Sequence, residues 1–299
     1  MKQSLARLLP KSVRSDAVTI PVVRLQGAIM AGGSPVRQHL SLAGSAGLLE
    51  KAFSHAAPAV AISLNSPGGS PVQSRLIYRR IRDLADEKKK TVLVFVEDVA
   101  ASGGYMVALA GDEIIADPSS IVGSIGVVSA GFGFQEMIRK IGVERRLYTS
   151  GRNKAVLDPF QPEKEEDVQR LKALQEEVHQ TFISLVKERR GAKLADDDDL
   201  FTGLFWTGER GHALGLVDAV GDMRSYLKSR FGPKTRMKLV SPPRSLFGRR
   251  LGFFGIESRG AEIAATAAEG LLETLEEKAL WRRFGLGTGA CAGANQPYD

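Results

Sequence analysis

Short apolar runs alternate with longer stretches of helical periodicity through the first half of the chain. Residues 18–25, 59–64 and 91–96 are β-branched or apolar runs of strand length. Helical patterns follow over 43–56 and 70–88, the second with Ile77, Ile81 and Leu84 on one face. Ser70 as N-cap and Pro71 at the first helical position mark where that helix starts. The alternation predicts β-α-β units and an α/β fold. Further on, the pattern predicts a helix over 102–110, a strand over 113–116, a helix over 134–141 and a strand over 143–148. Residues 162–190 predict a long amphipathic helix, with Val168, Leu171, Leu174, Val178, Phe182 and Leu185 along one stripe. A short helix from 208, a strand-like run over 215–220 and a helix over 222–231 complete the body.

After Leu239 the pattern breaks into Ser-Pro-Pro-Arg and an Arg/Phe/Gly-rich stretch. The chain therefore divides into a basic segment 1–17, a main domain 18–240, a linker 241–256, an amphipathic helix 257–284 and a flexible tail 285–299. On that last helix Ile263, Ala267, Leu271, Leu275 and Ala279 share one side. Such a stripe needs a cover, whether the body, a neighbouring subunit or a membrane surface.

Charge changes the picture through its location. Lys2, Arg7, Lys11 and Arg14 sit in an acid-free stretch 1–15, and Lys234, Arg236, Lys238, Arg244, Arg249 and Arg250 in another over 233–256. Those ten charges exceed the net +7 of the chain, so the rest is mildly acidic and does not read as a nucleic-acid binder. The basic ends suit peripheral contact with an anionic membrane face. No run of 18 uncharged apolar residues predicts a membrane span, and the apolar patch 5–9, broken by Arg7, is too short for a secretory signal. The expected location is cytoplasmic, although an acid-free start also allows a targeting segment. A single cysteine, Cys291, excludes an intrachain disulfide.

Cysteine pairs, His-Glu-x-x-His and a P-loop lysine are all missing, so zinc and nucleotide sites find no support. The adjacent aspartates 196–199 read as a solvated turn, because a calcium loop spaces its ligands. Two Gly-rich loops follow predicted strands: Asn65-Ser66-Pro67-Gly68-Gly69-Ser70 and Ala100-Ala101-Ser102-Gly103-Gly104-Tyr105. In equivalent positions they open at one edge of a sheet and face one crevice. A serine on a sharp strand-to-helix turn can act as a nucleophile, and amides of Gly68 and Gly103 can receive an oxyanion. A helix N-cap serine and an ordinary Pro-Gly turn are the plainer alternatives. Serine needs a base, and no histidine lies between Ser102 and His179, which the pattern puts on the solvent side of its helix. A lysine can serve when burial or a nearby cation lowers its pKa. Lys154, followed by apolar residues and near Arg152, is a candidate, with a solvated surface charge as the alternative.

These pieces, in order with Asp112 in Ala-Gly-Asp-Glu, Gly123-Ser124-Ile125-Gly126-Val127, Thr207-Gly208, and Gly215-Leu216-Val217-Asp218, resemble the signal peptide peptidase A family. That family shares a superfamily with the ClpP peptidase and the crotonases. The resemblance covers about 18–231. It implies Ser102 as nucleophile, Lys154, 52 residues downstream, as general base, Ser124 as the hydroxyl that orients the lysine, and Gly68 and Gly103 as the oxyanion hole. It further implies a spiral of ββα units with outer helices, a ring-shaped homo-oligomer whose sites can combine neighbouring subunits, peptide or protein substrates, and no cofactor or metal. The expected activity is a serine endopeptidase acting through an acyl-enzyme on signal-peptide-like or other small or hydrophobic peptides. A crotonase-like acyl-CoA hydratase or isomerase, and a catalytically silent ring at a membrane surface, are the alternatives.

Overall fold

The computed structural model describes residues 17–31, 39–241 and 278–286. Three parallel strands form its centre: β1 (Thr19–Gln26), β2 (Ala59–Ser66) and β3 (Thr91–Ala101), in register through pairs such as Val22 with Ala61 and Ala61 with Leu93. All eight residues of β2 are buried, which is why its first half, Ala59 to Ile62, reads as a continuous apolar run instead of an alternation. The strand period of two sends Val60, Ile62, Val92 and Val94 to one face. There they meet Leu49 and Phe53 of α1 (Leu42–Phe53) and Ile77, Ile81 and Leu84 of α2 (Pro71–Lys88). Ala59, Ala61, Leu93 and Phe95 point the other way, onto Leu227 of a later helix, Met223–Phe231.

The sheet forks at β3. Its first half, Leu93 to Val96, pairs with β4 (Glu113–Ala116), and its end, Val99 to Ala101, pairs with β5 (Ile121–Gly123). Between the branches α3 (Gly103–Ala108) starts directly after β3. β6 (Phe205–Thr207) adds antiparallel to β5, β7 (Ala219–Val220) parallel to β4, and β8 (Arg236–Leu239) parallel to β1 at the far edge. The α/β class expected from the sequence is the one observed. Asp112 accepts the Val92 N–H at 2.8 Å and Arg82 at 2.7 Å, so this acid ties the start of β3 to α2.

Several expectations are corrected. Residues 143–148 form no strand and are all exposed, because no neighbouring strand runs beside them. They belong to an arm, 127–164, that carries α4 (Gln135–Lys140) and exposes Val128, Phe132, Ile141 and Tyr148. The long helix, α5 (Glu165–Arg190), buries Phe182, Ile183 and Val186 near its end, but Leu174 on the same predicted stripe is 58% exposed. Its first turns add no side chain to the buried apolar core. α6 (Gly208–Ala213) and α7 (Met223–Phe231) follow, the latter capped by Asp222 accepting from Ser225 N–H at 2.9 Å. The strand-like run 215–220 shrinks to β7. Among the described residues no cluster could hold a metal, and Asp197 instead pairs with Arg210 at 3.3 Å.

Most of the predicted helix 257–284 lies outside the described residues. Residues 278–282 are helical, with Trp281 and Phe284 buried, whereas Ala279 of the predicted stripe is exposed.

Candidate active site

Ser102 occupies the turn between β3 and α3 with φ 52° and ψ −123°. Those angles match the first central residue of a type II′ turn, where glycine is the usual occupant. The Ser102 N–H donates to Gly123 O at 2.8 Å and its carbonyl accepts from Met106 N–H at 3.0 Å, so the turn is pinned from both sides. Its side chain makes no capping hydrogen bond to α3, although Ser70 does cap α2, accepting from Gln73 N–H at 3.3 Å. The hydroxyl is thus spared the job that the plainer alternative gave it.

The loop after β2 lies against this turn. Gly68 has φ +99°, and a Cβ there would come within 2.8 Å of Ala101 O, 2.9 Å of Gly103 N and 2.9 Å of Ser102 Cβ. Only glycine permits that approach. A Cβ on Gly103 would meet Ser74 Oγ at 2.3 Å. The Gly68 carbonyl accepts from Ile29 N–H at 2.8 Å, and its N–H donates to Ser66 Oγ at 3.2 Å. The Gly103 amide, at the first position of α3, has no intrahelical acceptor. Both predicted oxyanion amides therefore lie next to Ser102, with the Gly68 N–H engaged by a long hydrogen bond.

Ser124 follows β5, whose Gly123 is in register with Ala101, and so is brought to the same corner. It is 2% exposed, has φ 53°, and its N–H donates to Leu204 O at 2.7 Å. Lys154 is elsewhere. It sits on the exposed arm, in a turn closed by its own N–H donating to Gly151 O at 3.2 Å, and it does not line the cavity at Ser102.

That cavity measures about 240 Å³ and is walled by Pro67, Met106, Val127, Val178 and Phe182, with Ser102 and Gly103 on its floor. His179, expected in solvent, is half-buried and its Nε2 lies 3.0 Å from Ile125 O, holding the chain that leads from Ser124 to Val127. A signal was available: Ile183, four residues on and buried, shares its helix face. Nearby, Tyr105 is wholly buried and donates to Leu216 O at 2.7 Å; burial pushes its hydroxyl well above the ordinary tyrosine range.

The sequence model of peptidase family S49 matches residues 84–230. A putative protease of Synechocystis sp. is 30% identical over 237 residues, covering 77% of this chain and 82% of that protein. The chloroplastic serine protease SPPA of Arabidopsis thaliana is 32% identical over 213 residues, 68% of this chain and 31% of that one. A Brucella abortus protein named Na(+)/H(+) antiporter NhaA is 65% identical over 286 residues, 94% of this chain but 39% of its own length. This chain thus spans about two fifths of that relative, and the shared part takes in all of 84–230. Among the described residues no helix is long and apolar enough to cross a membrane.

Proposed function

Since the chain belongs to peptidase family S49, we propose that it is a serine endopeptidase in which Ser102 is the nucleophile and Lys154 its base. The observation that carries this reading is the Ser102 turn: a serine held at positive φ, its hydroxyl unused by α3, on the floor of a pocket beside the Gly68 and Gly103 amides. The unprotonated lysine takes the hydroxyl proton as Oγ attacks the peptide carbonyl. The two amides receive the oxyanion. The lysine then hands its proton to the leaving amine, and water, activated by the same lysine, releases the acyl group. Ser124, buried at the same corner, orients the amine.

A lysine works as a base only where burial or a neighbouring cation keeps it unprotonated. Lys154 is exposed within one chain and carried on an arm with uncovered apolar residues. It therefore serves Ser102 of a neighbouring chain in a ring-shaped homo-oligomer. The apolar walls of the pocket suit small or hydrophobic side chains at the cleaved position, signal-peptide-like peptides among them. The body is cytoplasmic, and its basic stretches touch an anionic membrane surface. Membership of a peptidase family sets the acyl-CoA reading aside, and the transport named for the Brucella relative stays with that longer protein.

Cleavage of a fluorogenic peptide panel tests the dyad. Wild type is expected to cleave, and Ser102→Ala and Lys154→Ala to be inactive at unchanged oligomer size; full activity in Lys154→Ala would mean another base.

A further inference from the structure

The pocket at Ser102 is not closed by the main domain alone. Its remaining wall comes from Leu280, Arg283 and Phe284, some 180 positions further along the chain. Two aromatic residues hold this short segment in place. Trp281 is fully buried against Val99 and Ala101, the strand residues that lead into Ser102, with Ile121 and Leu286 packed around them. Phe284 is buried too, and meets Phe205 of β6 edge-on at 5.1 Å between ring centroids. Two buried aromatic side chains supply much of what a segment this short needs to stay docked.

Between these anchors Arg283 is exposed at the rim of the pocket. Its guanidinium lies over the Phe284 ring at 5.9 Å, and it makes no ion pair among the described residues. Every other described residue lining the pocket is uncharged. A substrate side chain in the pocket would thus meet apolar walls, with one cation at the mouth.

We infer that Phe284 and Arg283 determine substrate specificity, so that this chain selects peptides with a small or medium apolar side chain in the pocket and a carboxylate close to the cleaved bond. The inference rests on the peptidase reading above. Phe284 limits how large a side chain fits. Arg283 pairs with an acidic residue flanking it, and a pair this exposed is expected to favour Glu over Lys by about two- to fivefold.

The test measures kcat/KM on peptides that keep an apolar residue at the cleaved position and carry Glu, Gln or Lys beside it. Wild type should prefer Glu, Arg283→Gln should level the Glu-to-Lys ratio, and Arg283→Glu should reverse it. Phe284→Ala, with Trp281 left as anchor, should raise the rate on a phenylalanine-bearing peptide relative to an alanine-bearing one. Arg283 is exposed, so its variants are expected to fold, with far-ultraviolet circular dichroism as the check. If wild type cleaves and Ser102→Ala does not, but the Glu-to-Lys ratio is the same in all three Arg283 forms, the inference is overturned while the peptidase reading stands. If Ser102→Ala cleaves as fast as wild type, both fall together.

Discussion

At Ser102 the backbone holds a conformation that glycine would adopt more cheaply. A non-glycine residue at φ 52° costs on the order of 1–3 kcal/mol, and here the hydrogen bonds to Gly123 and from Met106 hold it there. Ser102→Gly is therefore expected to stabilise the fold by about 1 kcal/mol while abolishing cleavage. Urea melts beside a peptide assay check this, and an unchanged or lower midpoint would mean the turn is not strained. The opposite change at the facing loop, Gly68→Ala, puts a Cβ 2.8 Å from Ala101 O and should destabilise by about 1–3 kcal/mol. Both positions were legible because Ser-Gly-Gly and Pro-Gly-Gly stand at the ends of recognisable strands. For His179 the helix spacing to Ile183 marked the buried side, but its acceptor, a carbonyl 54 positions away, is one that no local pattern announces. Lys154 was singled out only through family resemblance, because in the sequence it is one of 41 basic residues.

Among the elements, the long apolar strands, the four-residue β4 and the capped helices were readable, and most of the shorter strands were not. β5 and β6 have three residues each, β7 has two, and β8 has only Met237 buried, so none repeats the alternation often enough to stand out. They are defined by the neighbours they pair with. One side chain ties several of these elements together: Asp218 accepts from Arg190 at the end of α5, from Lys193 in the turn that follows, and from the Ile114 N–H of β4. Burial works against ionisation of Asp218, yet these hydrogen bonds outweigh it and hold its carboxyl below the usual carboxylate range. A depressed folded-state pKa means stability that is present above the unfolded value near 4 and lost as pH falls through the lower folded value. Asp218→Asn leaves Arg190 buried without its partner and should cost about 3–5 kcal/mol at pH 7. The gap between variant and wild type should narrow by about pH 3, read from denaturant midpoints at both pH values. A gap that does not change with pH would show that the charge is not what matters.

For the whole molecule, the feature that periodicity could not foresee is the arm. Residues 127–164 and the first turns of α5 carry apolar side chains that the main domain leaves uncovered, Ile141 at 67% and Tyr148 at 90% exposure. Helical spacing identified the apolar stripe of α5 but could not say that Leu174, in the middle of it, is left exposed. If a neighbouring chain covers the arm, Ile141→Asp should lower both oligomer mass and activity, while the monomer loses no more than about 0.5 kcal/mol. Light scattering and the peptide assay measure the two effects. The most direct measurement mixes inactive Ser102→Ala with inactive Lys154→Ala under conditions that let subunits exchange. Sites built from two chains predict that the mixture regains part of the wild-type activity, because an intact serine then meets an intact lysine. A mixture that assembles at wild-type size and stays inactive would contradict a dyad shared between subunits.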